Sequence, residues 1–424
     1  MDGVNSKKTK LYALLVGINA YNENVLLADK KVRFPKLYGC IADTRKINDY
    51  LSSEPGFESH IKILNDENAT KPEIVRLFKD HLGKAGKDDT AFFYFSGHGT
   101  QELADRSVFP SESDGRLESI ACYFQNSDDD FLLADKELRW LIHSLSLPKP
   151  HIVTIFDCCH SGDNTRNGNL LLNSFQAVVE KRVPFVFPQR QWEHFIFSKE
   201  YNKEAFMQSG ENQALPEGNH FQLSACESDE SAVEISGEAV FTNVLLNVLN
   251  RSGGEISYYN LQSQVRNYMR NVYEQKPRFY VADKQPNDLS RIFLNKPSKN
   301  TRTAFGEVIF NENNGWQLNL GAIQGVSRNI SKLKVFDPGN PGLVFSATIK
   351  TVNADHTELI MTGDADQRKV YRANVEELKE SVLFIHFDKN DAPLANQKKV
   401  FDELFNDKKN SLSLKKMNNR RNMF

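Results

Sequence analysis

The sequence predicts an α/β fold, a largely parallel sheet flanked by helices, followed by a small all-β domain. Two apolar runs, residues 91–95 (AFFYF) and 151–156 (HIVTIF), each stop at a glycine turn that carries a reactive side chain. Open α/β sheets place their chemistry in the crevice beyond the carboxyl ends of such strands. Short apolar runs also alternate with helix-length segments through the first 295 residues, as a parallel, helix-flanked sheet requires. From Thr301 the period changes. GEVIF, WQLNLG, KLKVF, LVFSATIK, ELIMT and VLFIHF read as short strands separated by Gly, Pro, Asn and Asp turns.

Taken in order, residues 11–17 form the first strand and 19–35 a polar loop. LYGCIAD (37–43) opens a helix to about residue 53, with Asp43 in its first turn. A short strand follows at 61–64. Thr70 is the expected N-cap of the next helix, with Glu73 closing a capping box. After the strand at 91–95 come a polar loop (101–116), a strand (120–124), an acidic run (126–130) and a helix capped by Asp135. The strand at 151–156 ends in Asp157-Cys158-Cys159. Residues 163–219 read as a long loop with one or two short elements, which inside a compact domain marks a functional segment. Beyond it, 221–225 is a strand, 241–249 and 261–273 are amphipathic helices, and 290–294 closes the domain. The last 17 residues hold six lysines and arginines and no acid, and read as a solvated basic tail.

Composition narrows the function classes. The 424 residues carry 53 basic and 55 acidic side chains, a net charge of -2, so no global field attracts nucleic acid or membrane. The early run LYALLVGI falls short of a membrane helix and lacks a small-residue cleavage site. Five cysteines, an odd number in so long a chain, make no disulfide framework and fit a reducing cytoplasmic compartment. Without a CxxC pair no zinc site is expected.

The chemistry follows from the two strand ends. A thiol attacks a carbonyl as thiolate and needs a base within reach, and His98 on the neighbouring strand end supplies one. The backbone N–H groups of Gly99 and Cys159 are placed to form an oxyanion hole. No Asp or Asn that would orient His98 is identifiable. Alternation along the strand puts the Cys158 and Cys159 thiols on opposite faces, Cys158 toward the core.

SGHG (96–99) after one strand and DCCHSG (157–162) after another resemble the caspase and metacaspase clan of cysteine peptidases. LYGCIAD, SACESDESA and GEAVFTNVLLNVL extend the resemblance, in the family's order, over residues 9 to about 295. It implies a caspase-like domain over 1–298, with a large-subunit part (9–162), a linker (163–219) and a small-subunit part (220–298). The all-β domain then covers 299–388, and a polar basic tail 389–424.

The resemblance identifies Cys159, directly before His-Ser-Gly, as the nucleophile of a His98–Cys159 dyad, and implies protein or peptide substrates. Asp157 stands where metacaspases keep an acid, and Asp43 where they keep a second. Two converging carboxylates suit a guanidinium or ammonium group, so cleavage after Arg or Lys is expected. Asp229 is a further candidate acid. No cofactor is required. Calcium is the family's candidate ion, for which Asp114, Asp128, Asp129, Asp130 and Asp135 offer hard oxygens. Yet Lys136 stands where the family has the second of two aspartates, so the acidic run reads as a solvated turn and no metal site is assigned. Self-cleavage is expected in the linker. Lys181-Arg182 is set aside because Val183-Pro184 follows, leaving Arg190, Lys199 and Lys203 as candidate sites. The competing reading is a catalytically silent caspase-like protein that binds partners through its β-domain.

Overall fold

The computed structural model describes residues 8–22, 32–127, 130–159, 178–226, 230–272, 275–282, 289, 291–296, 304–311, 314–322, 326, 333–337, 340–353 and 355–375. Internal contacts divide the chain into two compact units. One runs to Lys284 and includes Asp288–Lys296; the other takes the remainder.

In the first unit, β1 (Thr9–Gly17) leads to α1 (Cys40–Ser53), β2 (Phe57–Asn65), α2 (Lys71–Asp80) and β3 (Thr90–Ser96). Three short strands follow, β4 (Gly99–Leu103), β5 (Arg116–Ala121) and β6 (Leu132–Ala134), then α3 (Asp135–Ser146) and β7 (His151–Asp157). The linker contributes β8 (Val178–Glu180), β9 (Arg182–Phe187), α4 (Lys203–Ser209) and α5 (Glu211–Ala214). The small-subunit part adds β10 (Phe221–Ser224), β11 (Val233–Ile235), β12 (Glu238–Ala239), α6 (Val240–Arg251), α7 (Tyr258–Val272) and β13 (Arg278–Val281).

The central sheet has the order β13-β10-β7-β3-β1-β2. All pairs are parallel except β10 with β13. Its central strands are buried on both faces, which is why they read as unbroken apolar runs. Alternate residues feed two cores. Phe93, Phe95, Ile152 and Phe156 pack with α2 and α3 residues such as Phe78 and Leu141. Phe92, Tyr94, Val153 and Ile155 pack with Leu51 of α1, Leu245 of α6 and Val265 of α7. The same alternation continues past β7: Cys158 belongs to the first core and Cys159 to the second.

The sequence reading differs from the structure in several places. Thr70 precedes α2 without a side-chain cap bond, and Glu73 is turned onto Arg76, at 2.6 Å, so neither half of the expected capping box forms. The strand expected at 120–124 lies earlier, at β5. The edge strand β13 was not anticipated, since RFYV is brief and flanked by a loop. In the linker, the described residues hold two strands and two helices where one or two elements were expected.

The second unit is a closed six-stranded barrel, ordered β14-β15-β18-β17-β16-β19. Its strands are β14 (Ala304–Asn311), β15 (Gly315–Leu318), β16 (Leu333–Asp337), β17 (Asn340–Val352), β18 (Thr357–Thr362) and β19 (Tyr371–Val375). Val308, Leu318, Val335, Ala347, Leu359 and Tyr371 fill its interior. The expected strand VLFIHF lies outside the described residues, and YRANV closes the barrel instead.

Candidate active site

Strand register sets the site. In the β3–β7 pair Ser96 lies opposite Asp157, and each strand then runs two residues further, to His98 and Cys159. The two chemistry-bearing residues thus leave neighbouring strands at the same level. Glycine shapes the first turn: a Cβ on Gly97 would stand 2.9 Å from the Tyr21 hydroxyl. That hydroxyl accepts the His98 backbone N–H at 2.9 Å and donates to the Ala121 carbonyl at 3.0 Å.

His98 is fully buried. Its Nε2 lies 2.7 Å from the carbonyl oxygen of Pro35. A carbonyl only accepts, so Nε2 carries the proton and Nδ1 is the basic nitrogen. Among the described residues Nδ1 has no hydrogen-bond partner. Burial depresses the His98 pKa to about 4, the Pro35 carbonyl opposes this, and the nearby Lys181 ammonium adds to it. The imidazole is therefore neutral at physiological pH, as a base must be. Sequence reading found no group holding His98, and the Pro35 contact explains why: a backbone carbonyl leaves no side-chain signature. The Cys159 thiol is turned onto the Glu230 carbonyl.

Lys181 occupies the space in front of these groups. Its carbonyl oxygen accepts two N–H groups, from Gly99 and from Cys159, each at 3.2 Å. These are the two donors the sequence assigned to an oxyanion hole. Its side chain, fully buried, runs between the two expected carboxylates, with Nζ 3.3 Å from Asp43 Oδ2 and 3.2 Å from Asp157 Oδ1. Nζ also donates to Ser96 Oγ at 2.8 Å. Ser96 in turn donates to Asp43, and Thr242 Oγ1, in the first turn of α6, donates to Asp157. Burial raises Asp43 to about 6; the Lys181 ammonium lowers it and Asp157 raises it further. For Lys181 burial works against the charge, yet Asp157 and Asp43 outweigh it and hold its pKa above the ordinary lysine value.

The backbone around Lys181 is extended. Val178, Val179 and Glu180 pair antiparallel with Ile235, Glu234 and Val233, and the Lys181 N–H donates to the Ala232 carbonyl at 2.8 Å. Beyond it, β9 runs parallel to β4 with a register shift. The Thr100 hydroxyl reaches the carbonyls on both sides of Pro184, at 3.2 and 2.8 Å. The missing N–H of proline sits at this irregularity, where a ladder tolerates it.

The expected cleavage residues lie elsewhere. The Arg190 side chain is only 10% exposed and pairs with Glu102 (2.7 Å), Glu137 (2.9 Å) and Asp130 (3.2 Å). Lys199 is exposed on a short helical turn, and Lys203 pairs with Asp105 at 2.8 Å. None of the three enters the acidic pocket. Asp229 lies outside the described residues, and the neighbouring Glu230 pairs with Lys276 at 2.8 Å.

The calcium candidates among the described residues face other partners. Asp130 is paired with Lys71, at 2.8 Å, as well as with Arg190. Asp114 accepts the Arg116 backbone N–H at 3.1 Å, and Asp135 faces the Lys136 ammonium at 3.4 Å. Asp128 and Asp129 lie outside the described residues. Among the described residues no three His, Cys, Asp or Glu side chains are arranged to hold a metal ion.

A model of the family described as "Caspase domain" matches residues 10–286. The chain belongs to the caspase-domain family of cysteine peptidases. It is 30% identical to a metacaspase-1 of Ajellomyces capsulatus over 160 residues, 36% of this chain and 41% of that relative. Over 321 residues it is 22% identical to a metacaspase-1 of Mycosarcoma maydis, 68% of this chain and 74% of the relative. A metacaspase-9 of Arabidopsis thaliana matches over 350 residues at 23% identity, 70% of this chain and all of the relative. The chain thus spans about two fifths of the first of these and most or all of the other two. A solved Geobacter sulfurreducens protein, GSU0716, aligns with a TM-score of 0.49 at 20% identity, covering 67% of this chain and 98% of its own.

Proposed function

We propose that this protein is a cysteine endopeptidase that cleaves after lysine and arginine, and that its own Lys181–Arg182 bond is its first substrate. The observation that carries the reading is the seat of Lys181. One residue places its ammonium between two buried carboxylates and its carbonyl oxygen between two N–H donors, while its backbone is held as an added strand. That is the disposition a bound peptide needs before attack.

The chemistry then runs on this chain's own groups. His98 Nδ1 takes the Cys159 proton as the thiol leaves the Glu230 carbonyl. The thiolate sulfur forms a bond to the Lys181 carbonyl carbon, and the oxygen's growing charge is met by the Gly99 and Cys159 N–H groups. Breaking the C–N bond releases the Arg182 amine, which takes the proton from His98. Water, deprotonated by the same imidazole, then hydrolyses the thioester. A lysine or arginine side chain of another protein would use the same pocket once Lys181 has withdrawn.

The test compares purified wild type with Cys159→Ala. Wild type should yield a fragment whose amino terminus is Arg182, whereas Cys159→Ala stays whole. Peptides with Lys or Arg before the scissile bond should be hydrolysed, and peptides with Asp there should not. A wild type that remains intact and takes no label from an arginyl chloromethyl ketone would establish the silent, partner-binding reading instead.

A further inference from the structure

The acidic cluster at the start of α3 already contains a cation, and it is covalently part of the chain. The Lys136 ammonium is buried, its side chain 6% exposed. It contacts the carboxylates of Glu112, of Glu211 at 2.9 Å and of Asp135 at 3.4 Å, and it donates to Ser111 Oγ at 3.2 Å. Burial opposes its charge, but Asp135, Glu112 and Glu211 outweigh it and keep it protonated. These groups come from three separate places. Glu112 lies in the loop after β4, Asp135 and Lys136 in the first turn of α3, and Glu211 on α5 of the linker. Ser111 is tied again to Glu211, through its hydroxyl at 2.7 Å and its N–H at 3.2 Å.

The cluster borders the site. Asp135 lines a cavity of about 320 Å³ that Cys158, Cys159 and Cys226 also line. A charge holding these three segments together therefore holds one wall of the space next to the nucleophile. Three carboxylates and a hydroxyl are hard-oxygen groups of the kind a divalent cation takes, but as they stand they are arranged about the ammonium and not about a metal ion. Their centre is filled by that ammonium, whose three N–H donors meet Glu112, Glu211 and Ser111, with Asp135 a further charge at 3.4 Å.

We propose that the Lys136 ammonium is the resident counter-ion of this cluster, so that the chain folds and processes itself without calcium. Replacing it by a carboxylate should turn the cluster into a calcium site. An introduced carboxylate would join Glu112, Asp135, Glu211 and Ser111, offering the multiple oxygens at 2.3–2.6 Å that calcium takes. Magnesium, which needs a near-ideal octahedron and sheds water reluctantly, should do so poorly.

Thermal melting of the uncut Cys159→Ala chain separates this proposal from the peptidase reading, because it needs no activity. Melting should be the same in EGTA and in millimolar calcium. Adding Lys136→Met or Lys136→Asp should lower the melting temperature in EGTA by several degrees, since buried carboxylates lose their partner. Calcium should restore Lys136→Asp, while Lys136→Arg should stay close to the parent and insensitive to calcium. In the active wild type, the Arg182 fragment should appear equally fast in EGTA and in calcium. Three results would overturn the proposal: fragment formation that needs calcium, a calcium-dependent rise in melting of the parent chain, or unchanged melting of Lys136→Met in EGTA. None depends on Lys136→Asp folding.

Discussion

Two carboxylates and one ammonium share a fully buried pocket, so one negative charge is left over when lysine is bound. Asp43 Oδ1 has no hydrogen-bond partner among the described residues. A guanidinium brings five donors where an ammonium brings three, and so has more to offer that spare oxygen. Asp43→Asn keeps the pocket's shape and its bond from Ser96 but removes the charge. Hydrogen bonds to charged groups contribute about 1.5–3 kcal/mol, so kcat/KM for Lys and Arg peptides should fall by roughly 10- to 100-fold. Steady-state rates on the pre-cut enzyme check this, and undiminished kcat/KM would remove Asp43 from the pocket's function. His98 and the Cys158-Cys159 pair are legible from sequence because each follows the end of a buried strand, whereas Asp43, Asp157 and the choice of Cys159 rest on the resemblance to metacaspases. Lys181 could not be named, because what seats it is the partner strand β11 and the irregularity at Pro184, both products of the folded chain. Pro35 was invisible for the simpler reason that only its carbonyl acts.

Among the elements, the linker departs furthest from its sequence reading. Its polar patches suggested an accessible loop, but Lys181 and Arg190 point inward. Arg190 bridges Glu102 on β4 and Glu137 on α3, both fully buried, and Lys71 joins Glu137 from α2 at 2.9 Å. For Glu137 burial raises the pKa, but Arg190 and Lys71 outweigh it and hold the carboxyl below its ordinary range. This ion pair therefore fixes residues downstream of Lys181 to the elements on either side of the site. Arg190→Ala should cost about 3–5 kcal/mol, the cost of leaving buried charges unpaired rather than the net worth of the pair. Urea denaturation of the Cys159→Ala chain with and without Arg190→Ala measures it. A loss below 1 kcal/mol would mean the carboxylates find water or another partner. Charge patterning along a sequence shows which residues are charged but not which pair, since the partners here lie 53 and 88 residues away. The parallel sheet was legible for the opposite reason: its strands are buried on both faces and need no partner to be recognised.

At the scale of the whole molecule, buried imidazoles and buried carboxyls together set how stability depends on pH. Burial holds His98 at about 4 and His151, fully buried against Tyr258, at about 3. Burial lowers His220 as well. In the unfolded chain each would titrate near 6.5. Between pH 6.5 and those lower values the unfolded chain binds protons that the folded chain refuses. Stability is therefore full above pH 6.5 and falls as pH drops through this window. At about 1.4 kcal/mol per pKa unit, His98 and His151 each contribute on the order of a few kcal/mol. Asp43 acts in the other direction. Its carboxyl, raised to about 6 by burial, keeps a proton that the unfolded chain would release, so acidification from 6 toward the ordinary carboxylate value favours the fold. Asp135, raised to about 7 by burial, and Glu102, also raised, act with Asp43, while burial lowers His81 as it does the other imidazoles, so the two sets of groups pull in opposite directions. The imidazole part is isolated by substitution, comparing the urea midpoints of the uncut Cys159→Ala chain at pH 5 and pH 7.5 with and without His151→Gln. His151→Gln, which stays neutral at both values, should raise the midpoint at pH 5 relative to that at pH 7.5. The same pH dependence with and without His151→Gln would show that this imidazole accepts its proton inside the fold.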